Sequence, residues 1–150
     1  MDVSLAGPSH VADLARLLWA NASPHEREQQ PVESFATDLR AWWAEHARSH
    51  HAFVARDGSS PVIGMAWMAL VPRVPRPGTT TRRSADIQSV FVLPDHRGRG
   101  VGAALVRAAT HHAFHLGAEH VTVHSSTRAV PLYERLGFAS SREVLVSTAG

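Results

Sequence analysis

Between Arg97 and Ala103 the chain reads Arg-Gly-Arg-Gly-Val-Gly-Ala, shortly after the apolar run Val90-Phe91-Val92-Leu93 and at the start of a helical pattern. Such a segment is built to hold an anion. Glycines at 98, 100 and 102 remove the side chains that would keep an anion away from the backbone. The first turn of the helix that follows offers unpaired N–H groups and the positive end of its dipole. Arg97 and Arg99 add positive charge beside them. A diphosphate suits this chemistry.

Several ligand classes compete for the turn. Gly98-Arg99-Gly100-Val101-Gly102-Ala103 fits the dinucleotide fingerprint G-x-G-x-x-A, and Glu119 follows about twenty residues on. In that fold the glycines follow their strand at once and the acid ends the next strand. Here Leu93 to Arg97 intervene and Glu119 precedes its strand, which argues against an NAD-dependent oxidoreductase. A nucleoside triphosphate loop needs Lys and then Ser or Thr after the last glycine, and neither is there. A plain tight turn does not require three glycines flanked by two arginines.

Other reactive residue types point to no site of their own. With no cysteine there is no disulfide framework, thiolate metal site or cysteine nucleophile. Eleven histidines invite a metal reading, with His50-His51 and His111-His112 plus His115 as the obvious clusters. His111 and His115 share a helical face, but no Glu stands between them as in H-E-x-x-H and no third ligand is identifiable, so no metal is expected.

At 150 residues the sequence reads as one domain with no linker. The start Met1-Asp2-Val3-Ser4-Leu5 has no basic segment before an apolar run, and no stretch approaches about 20 apolar residues. A soluble, cytoplasmic protein without signal peptide or membrane span is therefore expected. The net charge is only +2. Nucleic-acid binding is not expected from it, although arginine as the cationic residue suits bidentate recognition of phosphate or carboxylate.

The elements that must position the turn follow from periodicity. Val3 and Leu5 alternate as a short strand; Ser9 is the expected N-cap of a helix carrying Val11, Leu14, Leu17 and Leu18. After a polar stretch from Ala20 to Pro31, a second helix carries Phe35, Leu39, Trp42 or Trp43, and His46. Ala52–Arg56 and Val62–Leu70 form an expected hairpin, and Val71–Ala85, with three prolines and four arginines, an expected long loop. Asp86–Val92 is the strand before the glycines, Arg99–Leu116 a helix stopped by Gly117, and His120–His124 a β-branched strand. A helix over Ala129–Leu136 and a strand around Glu143–Val146 complete the order β-α-α-β-β-β-α-β-α-β, an α/β domain with a mixed sheet.

Arg97-Gly98-Arg99-Gly100-Val101-Gly102 resembles the acetyl-CoA signature Arg/Gln-x-x-Gly-x-Gly/Ala of the GNAT superfamily of N-acetyltransferases, and Val92-Leu93-Pro94 matches the strand end that precedes it there. Leu132-Tyr133-Glu134-Arg135-Leu136-Gly137-Phe138 resembles the second motif, Leu-Tyr-x-x-x-Gly-Phe. Both motifs fall between Asp86 and Phe138; the first half of the chain agrees with the family in element order. The resemblance implies a mixed, mostly antiparallel sheet flanked by helices and splayed between its fourth and fifth strands. It further implies direct acetyl transfer from acetyl-CoA to a primary amine. A non-catalytic acyl-CoA-binding sensor of the same fold is the rival reading.

The same resemblance assigns roles. Backbone groups of Val90, Phe91 and Val92 would pair with the pantetheine arm as with an added strand, and amides from Gly98 to Ala103, with Arg97 and Arg99, would hold the diphosphate. Strict alternation of the strand would put Asp86, Gln88, Val90 and Val92 on one face and Ile87, Ser89 and Phe91 on the other. Tyr133, the only tyrosine, would donate a proton to the departing thiolate; Asp86 is the first candidate for the base that deprotonates the amine, and His124 the second. Where the family often carries an asparagine this chain has Ser125-Ser126-Thr127, and Ser126 would either bind the cofactor or cap the following helix. The acceptor, a small-molecule or peptide amine, would lie near His25, Trp42, Trp43, Trp67 and Arg73–Arg83. Trp42 and Trp43 cannot both face one core, so one is expected at the rim of a pocket or at an interface, which leaves room for a homodimer. The arginine-rich loop would meet an acidic acceptor or the 3′-phosphate of CoA.

Overall fold

A computed structural model describes residues 1–150. Strand β1 (Asp2–Leu5) is followed by helices α1 (Val11–Asn21), α2 (Pro24–Gln29) and α3 (Val32–His46), then strands β2 (His50–Arg56), β3 (Val62–Pro72) and β4 (Arg83–Val92). Helix α4 (Val101–His115), strand β5 (Ala118–Val123) and helix α5 (Val130–Arg135) complete the order. The strands form one open sheet in the order β1-β2-β3-β4-β5, antiparallel except for the parallel β4–β5 pair. No helix is long and apolar enough to cross a membrane.

Each face of the sheet carries its own core. On one face α4 buries Leu105, Val106, Ala109 and Ala113 against Phe53, Met68, Ile87 and Val92. On the other, α1 and α3 bury Leu14, Leu17, Leu39 and Trp43 against Val54, Met65, Trp67 and Phe91. Gly64 on β3 sets how closely α4 approaches. A Cβ there would lie 3.0 Å from Leu105 Cδ1 and 3.3 Å from both Val101 Cγ1 and the Phe91 carbonyl oxygen, so any side chain would push on the first turns of α4, which glycine lets rest on the sheet undisturbed.

Strand β4 departs from strict alternation. Trp67 faces Ser89 and Met68 faces Ile87, so Gln88 is an extra residue, a β-bulge. The bulge reverses the parity of everything after it. Ile87 and Val92 pack under α4 while Phe91 packs under α1 and α3, and Asp86 shares the side of the sheet that carries Ser89 and Phe91 rather than that of Val90 and Val92. The expectation from simple period-two reading fails for this reason.

Other boundaries also move. Ser9 lies inside a single 3-10 turn, Pro8–His10, and does not cap α1; the His10 ring instead accepts from the Gly7 N–H at 3.1 Å. Helix α2 arises in the stretch read as polar loop, because Ser23 and Glu26 form a reciprocal capping box with Pro24 at the first helical position. The expected loop over Val71–Ala85 contracts to residues 73–82, since β3 and β4 pair out to Pro72 and Arg83. The segment Glu143–Val146 is not a strand; Val144, Leu145 and Val146 stand exposed beyond α5, with no sheet partner to reward extension.

Burial holds the His50, His51 and His112 imidazoles below their ordinary range, and neighbouring histidines push the same way. The neutral rings belong to the folded state, so the unfolded chain binds protons more readily; stability is complete above about pH 6.5 and declines as the pH falls below it. Thermal unfolding followed by circular dichroism should therefore give a Tm that drops between about pH 6.5 and 5.5, and the double variant His51→Gln, His112→Gln should show a shallower drop.

Candidate active site

The parallel β4–β5 pairing runs from Arg83↔Ala118 through Asp86↔Thr122 to Ile87↔Val123 and ends there. Beyond that rung, Gln88–Val92 keeps β3 on one side and has no strand on the other. The chain after β5 turns away through Ser125 and Ser126 into the 3-10 turn Thr127–Ala129 and α5. A cavity of about 530 Å³ lies in this fork, lined by Asp86, Gln88, Ser89 and Val90 from β4, by His124 and Ser126, and by Tyr133. Tyr133, Asp86 and His124, distant in sequence, therefore face one space.

Tyr133 is half-buried on α5, its ring edge-on to Phe138 at 5.6 Å between centroids. Burial raises the phenol above its ordinary value near 10, because the phenolate loses solvation there. The group is a proton donor throughout the physiological range. Asp86 accepts a hydrogen bond at Oδ1 from Thr122 Oγ1 at 3.1 Å. His124 stands exposed at the cavity rim. Ser126 Oγ accepts from the Ala129 N–H at 3.3 Å and so caps the turn that leads into α5, the second of the two roles open to it in sequence.

The strand edge facing the fork is narrower than the sequence implied. Leu93 N–H donates to the Ile63 carbonyl on β3, and strand alternation then turns the polar groups of Phe91 to β3 and those of Val90 and Val92 toward the fork. Phe91 thus contributes its ring to the α1/α3 core and no free backbone edge. Arg97 Nε donates to the Val92 carbonyl at 2.9 Å while its guanidinium lies 5.4 Å from the Phe91 ring centroid. Arg97 braces the junction between β4 and the glycine turn, an intramolecular role that its place in the motif did not disclose.

Gly98 and Gly100 take φ values of +78° and +80°, the left-handed region that other residues enter at a cost. The first α4 hydrogen bond runs from Ala104 N–H to the Gly100 carbonyl at 3.0 Å, so the N–H groups of Val101, Gly102 and Ala103 have no acceptor within the protein. No side chain caps this end and no acidic residue occupies its first turn. A Cβ on Gly102 would meet only Val92 Cγ2, at 3.8 Å. The donors and the space above them are available to an anionic ligand, and they adjoin the open edge of Val90 and Val92.

The profile of the acetyltransferase (GNAT) family matches residues 11–138, which span both helical layers, the whole of β2–β5 and both motifs. The chain belongs to this family. Over 111 residues this GNAT chain is 32% identical to the mycothiol acetyltransferase of Propionibacterium freudenreichii, covering 66% of this chain and 34% of that protein. Over 77 residues it is 34% identical to the glucosamine 6-phosphate N-acetyltransferase of Trypanosoma brucei brucei, covering 51% of this chain and 50% of that protein. The chain spans a third to a half of the length of these relatives. Its fold is similar to a crystal structure of an acetyltransferase from Clostridium acetobutylicum with acetyl-CoA, with a TM-score of 0.74 at 16% identity over 98% of this chain and 95% of that one.

Residues expected around an acceptor are not gathered in one place. Trp43 and Trp67 are buried and pack edge to face at 5.1 Å, Trp42 is 40% exposed and stacks on His46 at 4.3 Å, and His25 is exposed on α2. The arginine-rich loop joins β3 to β4 at the end of β4 farthest from the glycine turn, about 30 Å away at the usual rise of ten strand residues. That distance removes the loop from the diphosphate end of the site. Arg82 grips Glu119 with two hydrogen bonds, at 2.8 and 3.2 Å, and Arg73 reaches His120 at 3.2 Å. Glu119 therefore serves β5 and the loop rather than a ribose.

Two substitutions separate ligand binding from folding. Gly102→Glu should leave the Tm of the ligand-free protein unchanged or slightly higher, because an acid is favourable in a first helical turn, while isothermal titration shows acetyl-CoA binding weakened at least tenfold by charge repulsion. Gly100→Ala should lower stability by about 1–2 kcal/mol in chemical denaturation, since alanine resists the left-handed backbone there.

Proposed function

We propose that this chain is an acetyl-CoA-dependent N-acetyltransferase that passes the acetyl group directly to a primary amine of a small molecule. The convergence of Asp86, His124 and Tyr133 on the fork beside the Val90 edge carries this reading. The donor set also suits the cosubstrate: three unpaired amides at the start of α4 match a diphosphate, and the backbone of Val90, with the Val92 N–H, matches the amide-bearing pantetheine arm. Acetyl-CoA supplies an activated thioester. The rest of the chemistry falls to this chain's own groups.

An alkyl ammonium near its usual pKa of about 10 must lose a proton before it can attack. Asp86 accepts that proton directly or through one water and passes it to solvent. The amine nitrogen then bonds to the thioester carbonyl carbon, the C–S bond breaks as the adduct collapses, and Tyr133 protonates the leaving sulfur. The second nitrogen proton is lost as the amide forms and restores the tyrosine by way of solvent. One amide, one CoA thiol and one net proton result. No covalent acyl-enzyme is needed, in keeping with the absence of cysteine. His124, exposed at the rim, is the second candidate for accepting the amine proton.

The acceptor is drawn from small amines, the class to which glucosamine 6-phosphate belongs. A panel of amines, including glucosamine 6-phosphate, polyamines and peptide N-termini, monitored by CoA release, should reveal turnover for at least one. In that assay Tyr133→Phe should lower kcat about a hundredfold or more with little change in acetyl-CoA affinity, and Asp86→Asn should lower kcat/KM for the amine most strongly near neutral pH. Acetyl-CoA, and not NAD, should raise the Tm. Thermal stabilisation by acetyl-CoA with no turnover on any amine would favour the acyl-CoA sensor, and unchanged kcat in Tyr133→Phe would remove the assigned acid.

A further inference from the structure

The only side chain that hydrogen-bonds the Asp86 carboxylate is Thr122. The two residues face each other across the parallel strands, one rung before Ile87↔Val123, the last rung of the fork. The Thr122 hydroxyl has a single proton and two acceptors in range: Asp86 Oδ1 at 3.1 Å and the Ala85 carbonyl at 3.4 Å. The shorter, charge-assisted bond to the carboxylate is the stronger one. Asp86 Oδ2 has no hydrogen bond within the protein, so one oxygen is held and the other is left to the cavity.

We infer that Thr122 is a positioning residue for the proposed base, and this rests on the reading of Asp86 given above. Its hydroxyl fixes the rotamer of the carboxylate at the neck of the fork, so that one oxygen is held and the other is free to meet the incoming ammonium. Three structural circumstances make the arrangement specific. The bulge at Gln88 sets the parity on which Asp86 sits, the β4–β5 register places threonine directly opposite it, and a β-branched side chain is stiff at χ1 and so suits a fixed donor. The other titratable groups lining the cavity, His124 and Tyr133, have no hydrogen bond to this carboxylate.

The test uses Thr122→Val, which keeps the branched shape and removes the donor, and Thr122→Ser, which keeps the donor. The Asp86 carboxyl carbon shift is read by carbon-13 NMR at neutral pH in the free protein, a readout that needs no acceptor, and kcat/KM is measured against pH with the amine turned over fastest in the panel. Thr122→Val should move the Asp86 carboxyl carbon shift and lower kcat/KM for the amine by about three- to tenfold at neutral pH, with a smaller loss at high pH, where the amine is already deprotonated and needs no base. The KM for acetyl-CoA and the Tm should stay near wild type, and Thr122→Ser should restore both the carboxyl shift and the profile. An unmoved carboxyl shift or an unchanged kcat/KM in Thr122→Val, or a serine variant that behaves like valine, overturns the inference while leaving Asp86 as base intact. Full activity of Asp86→Asn overturns both.

Discussion

Because Gln88 is inserted opposite the Trp67–Met68 step, β4 serves two cores with one strand, and the placement of the cavity follows from that insertion. Strict alternation would put Ile87 and Phe91 on the same face, yet Ile87 is needed under α4 and Phe91 under α1 and α3. The extra residue satisfies both. It also increases local twist at the point where β5 stops following β4, so the two strands diverge instead of zipping to their ends. The open edge of Val90, the carboxylate of Asp86 and the phenol of Tyr133 come together at that divergence.

The glycine turn is held in place from below. Leu105 is fully buried and Val101 nearly so, and both rest where Gly64 leaves β3 without a side chain. Truncating a leucine in such a position costs about 2–5 kcal/mol, a large fraction of the 5–15 kcal/mol that stabilises a typical domain. Arg97 adds a second restraint by joining the Val92 carbonyl and the Phe91 ring. The amides at the start of α4 are thus aimed before any ligand arrives, and little ordering cost is left for binding to meet.

The sequence disclosed the glycine turn, Tyr133 and the strand before them because each depends on local pattern: backbone sign at glycine, a motif of fixed spacing, an apolar run. The fork itself was legible only through family resemblance. What stayed hidden depends on register. Gln88 is a single polar residue in an otherwise plausible alternation, and nothing local distinguishes a bulge from a solvent-facing position. Thr122 gains its partner only when β5 is laid beside β4, and Arg97, read as a phosphate ligand, also gives its Nε–H to a carbonyl five residues back. The capping box of Ser23 and Glu26 is local, yet it lies within a stretch of polar residues that carries no apolar periodicity to mark a helix. Val144 to Val146 show the converse, a strong strand pattern that pairs with no strand.

The paired grip of Arg82 on Glu119 gives the fork a mechanical character. The two bonds tie the closed end of the β4–β5 pair, while the other end has no cross-strand bond past Ile87↔Val123. A structure clamped at one end and free at the other flexes with an amplitude that grows away from the clamp. The stretch of the sheet least restrained by cross-strand bonds therefore lies between Val90 and the segment after β5. The ion pair and the open fork thus stand at opposite ends of the same strand pair.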